Sequence, residues 1–110
     1  MVPVSFNSDR LKEVLKGFAG KRILVVGDLM LDHYVETVAK RLSREAPIPV
    51  SDVTAENSFA GGAGNLASNL VSLGAKVSTV GMIGNDYEGE LVRSILAKQG
   101  VDTEGMHIWP

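Results

Sequence analysis

Ile23-Leu24-Val25-Val26-Gly27-Asp28 is a short, β-branched apolar run closed by a glycine and a carboxylate. Its apolar residues are continuous rather than alternating, which predicts a strand buried on both faces, as in a parallel sheet. Upstream, Ser8–Phe18 has Leu11, Val14, Leu15 and Phe18 at helical spacing, with Ser8 as the expected N-cap and Gly20 as the stop. Downstream, residues 34–38 and 48–54 alternate or carry proline, so they read as half-exposed strands. Pro47 and Pro49 restrict the second to an edge or a strand start. Residues 40–45 are a polar connection between them. The whole stretch 34–59 is therefore an antiparallel excursion inserted after the first core strand.

Beyond it the pattern becomes regular. Gly61-Gly62-Ala63-Gly64-Asn65 leads into a helix with Leu66, Leu70 and Leu73 at helical spacing, closed by Gly74. Lys76–Gly81 reads as a second core strand. Asn85-Asp86 caps a helix running through Gln99, with Leu91, Val92, Ile95 and Leu96 on its inner face. Met106–Trp109 begins a further strand. Strands alternating with helices imply an α/β sheet with right-handed crossovers. About three core strands leave unpaired edges and uncovered apolar surface. The 110 residues are thus expected to be the N-terminal segment of one longer domain.

Composition narrows the function classes. The net charge is −2, so no basic field marks a nucleic-acid or membrane-surface binder. There are no cysteines, which excludes disulfides and thiolate metal sites and fits a cytoplasmic protein. No apolar run approaches membrane-spanning length. Met1–Gly17 lacks a basic segment followed by an apolar one, so no signal peptide is expected.

Two stretches suggest chemistry. Asp28 and Asp32 follow the best strand, and open α/β sheets bind ligands outside the carboxyl ends of their strands. Carboxylates there accept hydrogen bonds from polyol hydroxyls; the plainer alternative is a turn residue and a solvated one. Gly61, Gly62 and Asn65 stand at a helix start, where free N–H groups and the dipole attract oxygen-rich groups. Asn65 both donates and accepts.

Read as Gly62-x-Gly64-x-x-Ala67, the same stretch mimics a dinucleotide fingerprint. It lacks a buried strand before it and an acidic residue after the next strand. Gly81–Asp86 reads as a strand-to-helix turn with an Asp cap. Lys40, Arg41 and Arg44 are candidates for a substrate phosphate, Arg41 and Arg44 foremost, against the commoner role of solvated charge. No metal-binding spacing and no nucleophile–base constellation emerge.

Gly61–Ala67 through Leu73-Gly74-Ala75, then Val80–Asp86, resembles the N-terminal signature of the PfkB/ribokinase carbohydrate kinases. Val25-Val26-Gly27-Asp28 and Asp32 resemble that family's first strand and its sugar-contacting aspartate. Gly27–Tyr34 and Arg44–Val50 are more narrowly similar to the kinase domain of the heptose 7-phosphate kinase/adenylyltransferase group. The likeness covers about residues 21–100.

The resemblance implies a ribokinase-like fold, a mainly parallel sheet flanked by helices with a small β lid at 34–59. It also implies transfer of the γ-phosphoryl group of ATP, with Mg2+, to a hydroxyl of a sugar phosphate. On that reading Asp32, Gly61, Gly62, Asn65 and Asp28 bind the sugar, and the lid offers an edge for a homodimer. The family's D-T-x-G-A-G-D motif, which supplies the catalytic base, is absent. Asp102-Thr103-Glu104-Gly105 begins similarly but continues Met106-His107. The segment alone is expected to be inactive. Rival readings are a kinase for another sugar or nucleoside, a dinucleotide-binding domain, or a non-enzymatic sugar- or partner-binding module.

Overall fold

A computed structural model describes residues 7–109; the leader reading of residues 1–6 lies outside them. Eight elements follow in order: α1 (Ser8–Lys16), β1 (Arg22–Val26), β2 (Leu29–Leu42), β3 (Pro49–Gly62), α2 (Ala63–Ser72), β4 (Lys76–Gly84), α3 (Tyr87–Lys98) and β5 (Asp102–Trp109). β1, β4 and β5 form a parallel sheet in the order β1-β4-β5, and among the described residues β2 pairs with β3 alone, antiparallel. The α/β reading with an antiparallel excursion therefore holds.

The core lies on one face of the parallel sheet. Val25, Val77, Thr79, Ile83 and Met106 point there, against Ala67 of α2 and Val92 and Leu96 of α3. Thr79, almost fully buried, satisfies its hydroxyl by donating to the Asp102 carbonyl at 3.3 Å. Gly64 lets α2 approach closely: a Cβ there would lie 2.9 Å from the Ala60 Cβ.

Burial of β1 on both faces is not observed. Val25 is 5% exposed, whereas Leu24 and Val26 are 60% and 68% exposed. The reason is geometric: α2 and α3 both lie on the Val25 face, and no described element covers the other. α1 does not cover it either. Asn7, not Ser8, caps α1, accepting from the N–H groups of Asp9 and Arg10, and the helix ends at Lys16 rather than Phe18. Its apolar stripe buries no residue.

The excursion is longer than 34–59. β2 and β3 are 14 residues each and run from Leu29 to Gly62, with residues 43–48 as the turn. Lys40, Arg41 and Leu42, expected in the connection, are strand residues, while Pro49 takes the strand-start position that proline tolerates. This ribbon projects from the sheet, and the radius of gyration is 19.8 Å, against about 13 Å for a compact chain of this length.

Three further boundaries move. Gly81–Gly84 still belongs to β4, because Gly81–Gly84 pairs with Met106–Trp109. β5 starts at Asp102, four residues early, since Ser78 pairs with Asp102. α2 starts at Ala63, so Asn65 lies in its first turn.

Candidate functional site

The site forms where three chain segments are forced together at the carboxyl end of β1, beside Val80 and Gly81 of β4. Gly27 donates its N–H to the Val80 carbonyl at 3.2 Å, and a Cβ on Gly81 would lie 2.5 Å from the Gly27 carbonyl oxygen. Ala63 donates its N–H to the Asp28 carbonyl at 2.8 Å. Gly62 links ribbon to helix at φ +56°, and a Cβ on it would lie 2.5 Å from the same Asp28 oxygen. Only glycine meets both conditions there. Asp28 is thus clamped to the amino end of α2 by its backbone, while its side chain stays at the surface.

Asp32 enters four residues later, on β2. Side chains alternate along a strand and paired residues share a face. Met30, Asp32 and Tyr34 therefore lie on one ribbon face with Gly61, Phe59 and Asn57. Gly61 is buried directly beneath the Asp32 carboxylate: a Cβ on it would lie 2.5 Å from Oδ2 and 2.8 Å from Oδ1. The Asp32 carboxylate accepts no hydrogen bond from a described side chain and stays open to a ligand. At the amino end of α2, no side chain caps the first turn and no acidic residue lies in it. Past Ala63, whose N–H is taken by Asp28, its first-turn N–H groups and the exposed Asn65 amide are donors where the ribbon runs into the helix. Acceptors and donors so arranged on a hydroxyl-rich ligand can orient it without transferring a proton themselves.

Asp28, Asp32, Gly61, Gly62 and Asn65 are thus gathered around one end of the ribbon. Arg41 and Arg44 are not. Arg41 pairs with Val50 at the far end of the ribbon, nine positions from Asp32, or about 30 Å at strand rise. Within one chain they do not reach a ligand held by Asp32. Lys40 forms an ion pair with Asp52 at 2.5 Å.

The dinucleotide reading fares poorly on the same geometry. The strand before Gly62 belongs to the exposed antiparallel ribbon, not to the parallel sheet. The Gly84–Asp86 turn is structural: Asp86, without Asn85, caps α3 by accepting from the Gly89 N–H at 2.8 Å. Asp102 stands at the opposite end of the sheet. There it accepts from the Glu104 backbone N–H at 3.0 Å and the Ser78 hydroxyl at 2.9 Å, which together hold its carboxyl below the usual value of 3.8.

Sequence reasoning missed two features. Tyr34 and Phe59 form an edge-to-face aromatic pair beside Asp32, with ring centroids 5.7 Å apart at 76°. On the opposite ribbon face, His33 Nδ1 lies 2.9 Å from Ser58 Oγ and Nε2 3.5 Å from Glu56. Both depend on strand register between residues about 25 apart, which composition does not reveal.

Comparison with known proteins bears on this geometry. Residues 21–110 match the pfkB family carbohydrate kinases. The chain is 49% identical over 88 residues to the bifunctional protein HldE of Helicobacter pylori, covering 80% of this chain and 19% of that protein. Among solved structures, the fructokinase of Xylella fastidiosa superimposes with a TM-score of 0.59 at 29% identity, over 81% of this chain and 26% of that one. The ribokinase of Cryptococcus neoformans in complex with ADP superimposes with a TM-score of 0.56 at 26% identity, over 82% and 27%. The chain spans about a fifth of the length of the curated relatives it matches. Among the described residues, no helix is long and apolar enough to cross a membrane.

Proposed function

This chain belongs to the pfkB family carbohydrate kinases, and from that premise we propose that it is the sugar-binding segment of a kinase that phosphorylates a hydroxyl of a heptose phosphate. The observation that carries the reading is the Asp32 carboxylate seated over Gly61 beside the open amino end of α2. Asp32 and Asp28 accept from sugar hydroxyls. Asn65 and the α2 N–H groups, brought close by Gly61 and Gly62, hold the other side. The β2–β3 ribbon covers the sugar and excludes water. In phosphoryl transfer such positioning and electrostatic stabilisation supply most of the rate.

The phosphoryl donor is ATP, in keeping with the ADP-bound ribokinase above. Bound with the nucleotide, Mg2+ neutralises charge on the phosphoryl group. Among the described residues no group of three or more His, Asp or Glu side chains is disposed to hold a metal ion, and no step here is routed through it. The catalytic base belongs to a part of the domain beyond these residues.

The similarity to the bifunctional HldE proteins favours a heptose 7-phosphate over other sugars. The product then enters a nucleotide-activated heptose and lipopolysaccharide precursor route in the cytoplasm. The free ribbon edges suit pairing with a second copy.

The test is phosphoryl transfer by the full-length protein with ATP and a panel of heptose 7-phosphate, fructose 6-phosphate, ribose and adenosine. The expected result is kcat/KM highest for the heptose phosphate. Preference for another member of the panel would move the protein to a different branch. No transfer to any, with NAD bound instead, would overturn the kinase reading.

A further inference from the structure

We infer that Tyr34 and Phe59 form the platform on which the sugar ring rests, and that the site therefore selects sugars presenting a C–H face on one side and hydroxyls at the edge. This rests on the sugar-kinase reading and adds to it a determinant of which sugar is taken. Phe59 is the direct cross-strand partner of Asp32, and Tyr34 is the next residue on the same ribbon face. Paired side chains across an antiparallel ribbon have Cβ atoms about 5 Å apart. A ligand whose hydroxyl reaches the Asp32 carboxylate can therefore set its ring against Phe59.

The two rings hold each other. Their edge-to-face contact leaves each side chain about half exposed, Tyr34 at 59% and Phe59 at 55%. Met30, 52% exposed, extends the same apolar surface on the other side of Asp32. An exposed aromatic pair, mutually packed and beside a carboxylate that no described side chain engages, unites the two halves of a small-molecule site. One is an apolar surface for the body of the ligand, the other a fixed polar group for its orientation. Carbohydrates are amphipathic in the same sense. Tyr34 also brings a phenolic hydroxyl to the rim, a further partner for a ring substituent.

The experiment uses the full-length protein and compares Phe59→Ala, Phe59→Tyr, Tyr34→Ala and Asp32→Ala by sugar KM, ATP KM, kcat and oligomeric state. Phe59→Ala is expected to raise the sugar KM about tenfold, roughly 1.4 kcal/mol, with ATP KM unchanged, and Phe59→Tyr to restore it. Tyr34→Ala is expected to act in the same direction. A sugar KM that is unchanged in Phe59→Ala while Asp32→Ala destroys sugar binding would overturn this inference and leave the kinase reading intact. Loss of a dimer with unchanged sugar KM would assign the pair to a contact between copies and overturn it equally. Absence of sugar binding in the unsubstituted protein would overturn the kinase reading itself.

Discussion

The Asp32 carboxylate lies directly over Gly61, so close that a Cβ on Gly61 would stand 2.5 Å from Asp32 Oδ2. The glycine is buried and the carboxylate exposed. Gly61 thus sets where the acceptor points, while Gly62 sets where the ribbon ends and α2 begins. The two neighbours should respond differently to the same substitution.

Gly61→Ala displaces only a side chain that can swing into solvent. Its expected effect is a sugar KM raised about tenfold or more, the scale of a lost hydrogen bond to a charged group, with thermal stability nearly unchanged. Gly62→Ala instead forces a side chain onto a residue at φ +56° and against the Asp28 carbonyl. Its expected cost is about 2 kcal/mol of stability, read by denaturant unfolding. Equal stability losses in the two variants would contradict the assignment.

The turn Gly84–Asp86 is assigned to structure rather than to chemistry. Asp86→Ala removes the acceptor for the Gly89 N–H and is expected to cost about 1 kcal/mol. Activity of the full-length enzyme at a temperature well below its melting point should not change. A large fall in kcat would show that this turn touches a reactant.

Leu96 is completely buried between α3 and the sheet. Leu96→Ala leaves a cavity and is expected to destabilise by about 2–5 kcal/mol, measured by urea melts. A cost below about 1 kcal/mol would mean that α3 does not seat as described.

Much of this architecture is legible in the residues, and its failures have identifiable causes. β1, β4, α2 and α3 announce themselves through apolar runs and glycine stops, and their alternation specifies a parallel sheet. The full extent of the ribbon does not. Most ribbon residues away from its base are exposed on both faces, so little apolar–polar contrast marks Lys40–Leu42 or Asn57–Phe59 as strand. β5 hides behind Asp102-Thr103-Glu104, a polar run with no apolar strand signal, whose place in the sheet shows only when Ser78 pairs with Asp102. The site divides the same way. Asp32, Gly61 and Asn65 are visible as strand-end and helix-start residues. The Tyr34–Phe59 pair needs the register, which two bulges in the ribbon, at Glu36/Thr37 and Ala39/Arg41, make unreadable from spacing.

Asp102 gives a pH signature separate from the sugar site. Hydrogen bonds from the Glu104 N–H and the Ser78 hydroxyl favour its charged form, so its folded pKa lies below 3.8. A carboxyl depressed on folding contributes stability above its unfolded value, and that contribution is lost as pH falls through the folded value. Wild type should therefore exceed Asp102→Asn in stability at neutral pH, with the difference closing below pH 3.8. A carboxyl titration followed by NMR should show Ser78→Ala moving the Asp102 pKa upward, though not fully, because the larger backbone contribution remains. No movement would remove Ser78 from the account.

The central claim is that Asp32 holds the sugar. It is tested most directly by calorimetric binding of the sugar phosphate and of ATP to the full-length protein and to Asp32→Ala. The account predicts that the variant loses sugar binding and keeps its ATP affinity. Unchanged sugar affinity in Asp32→Ala would contradict it.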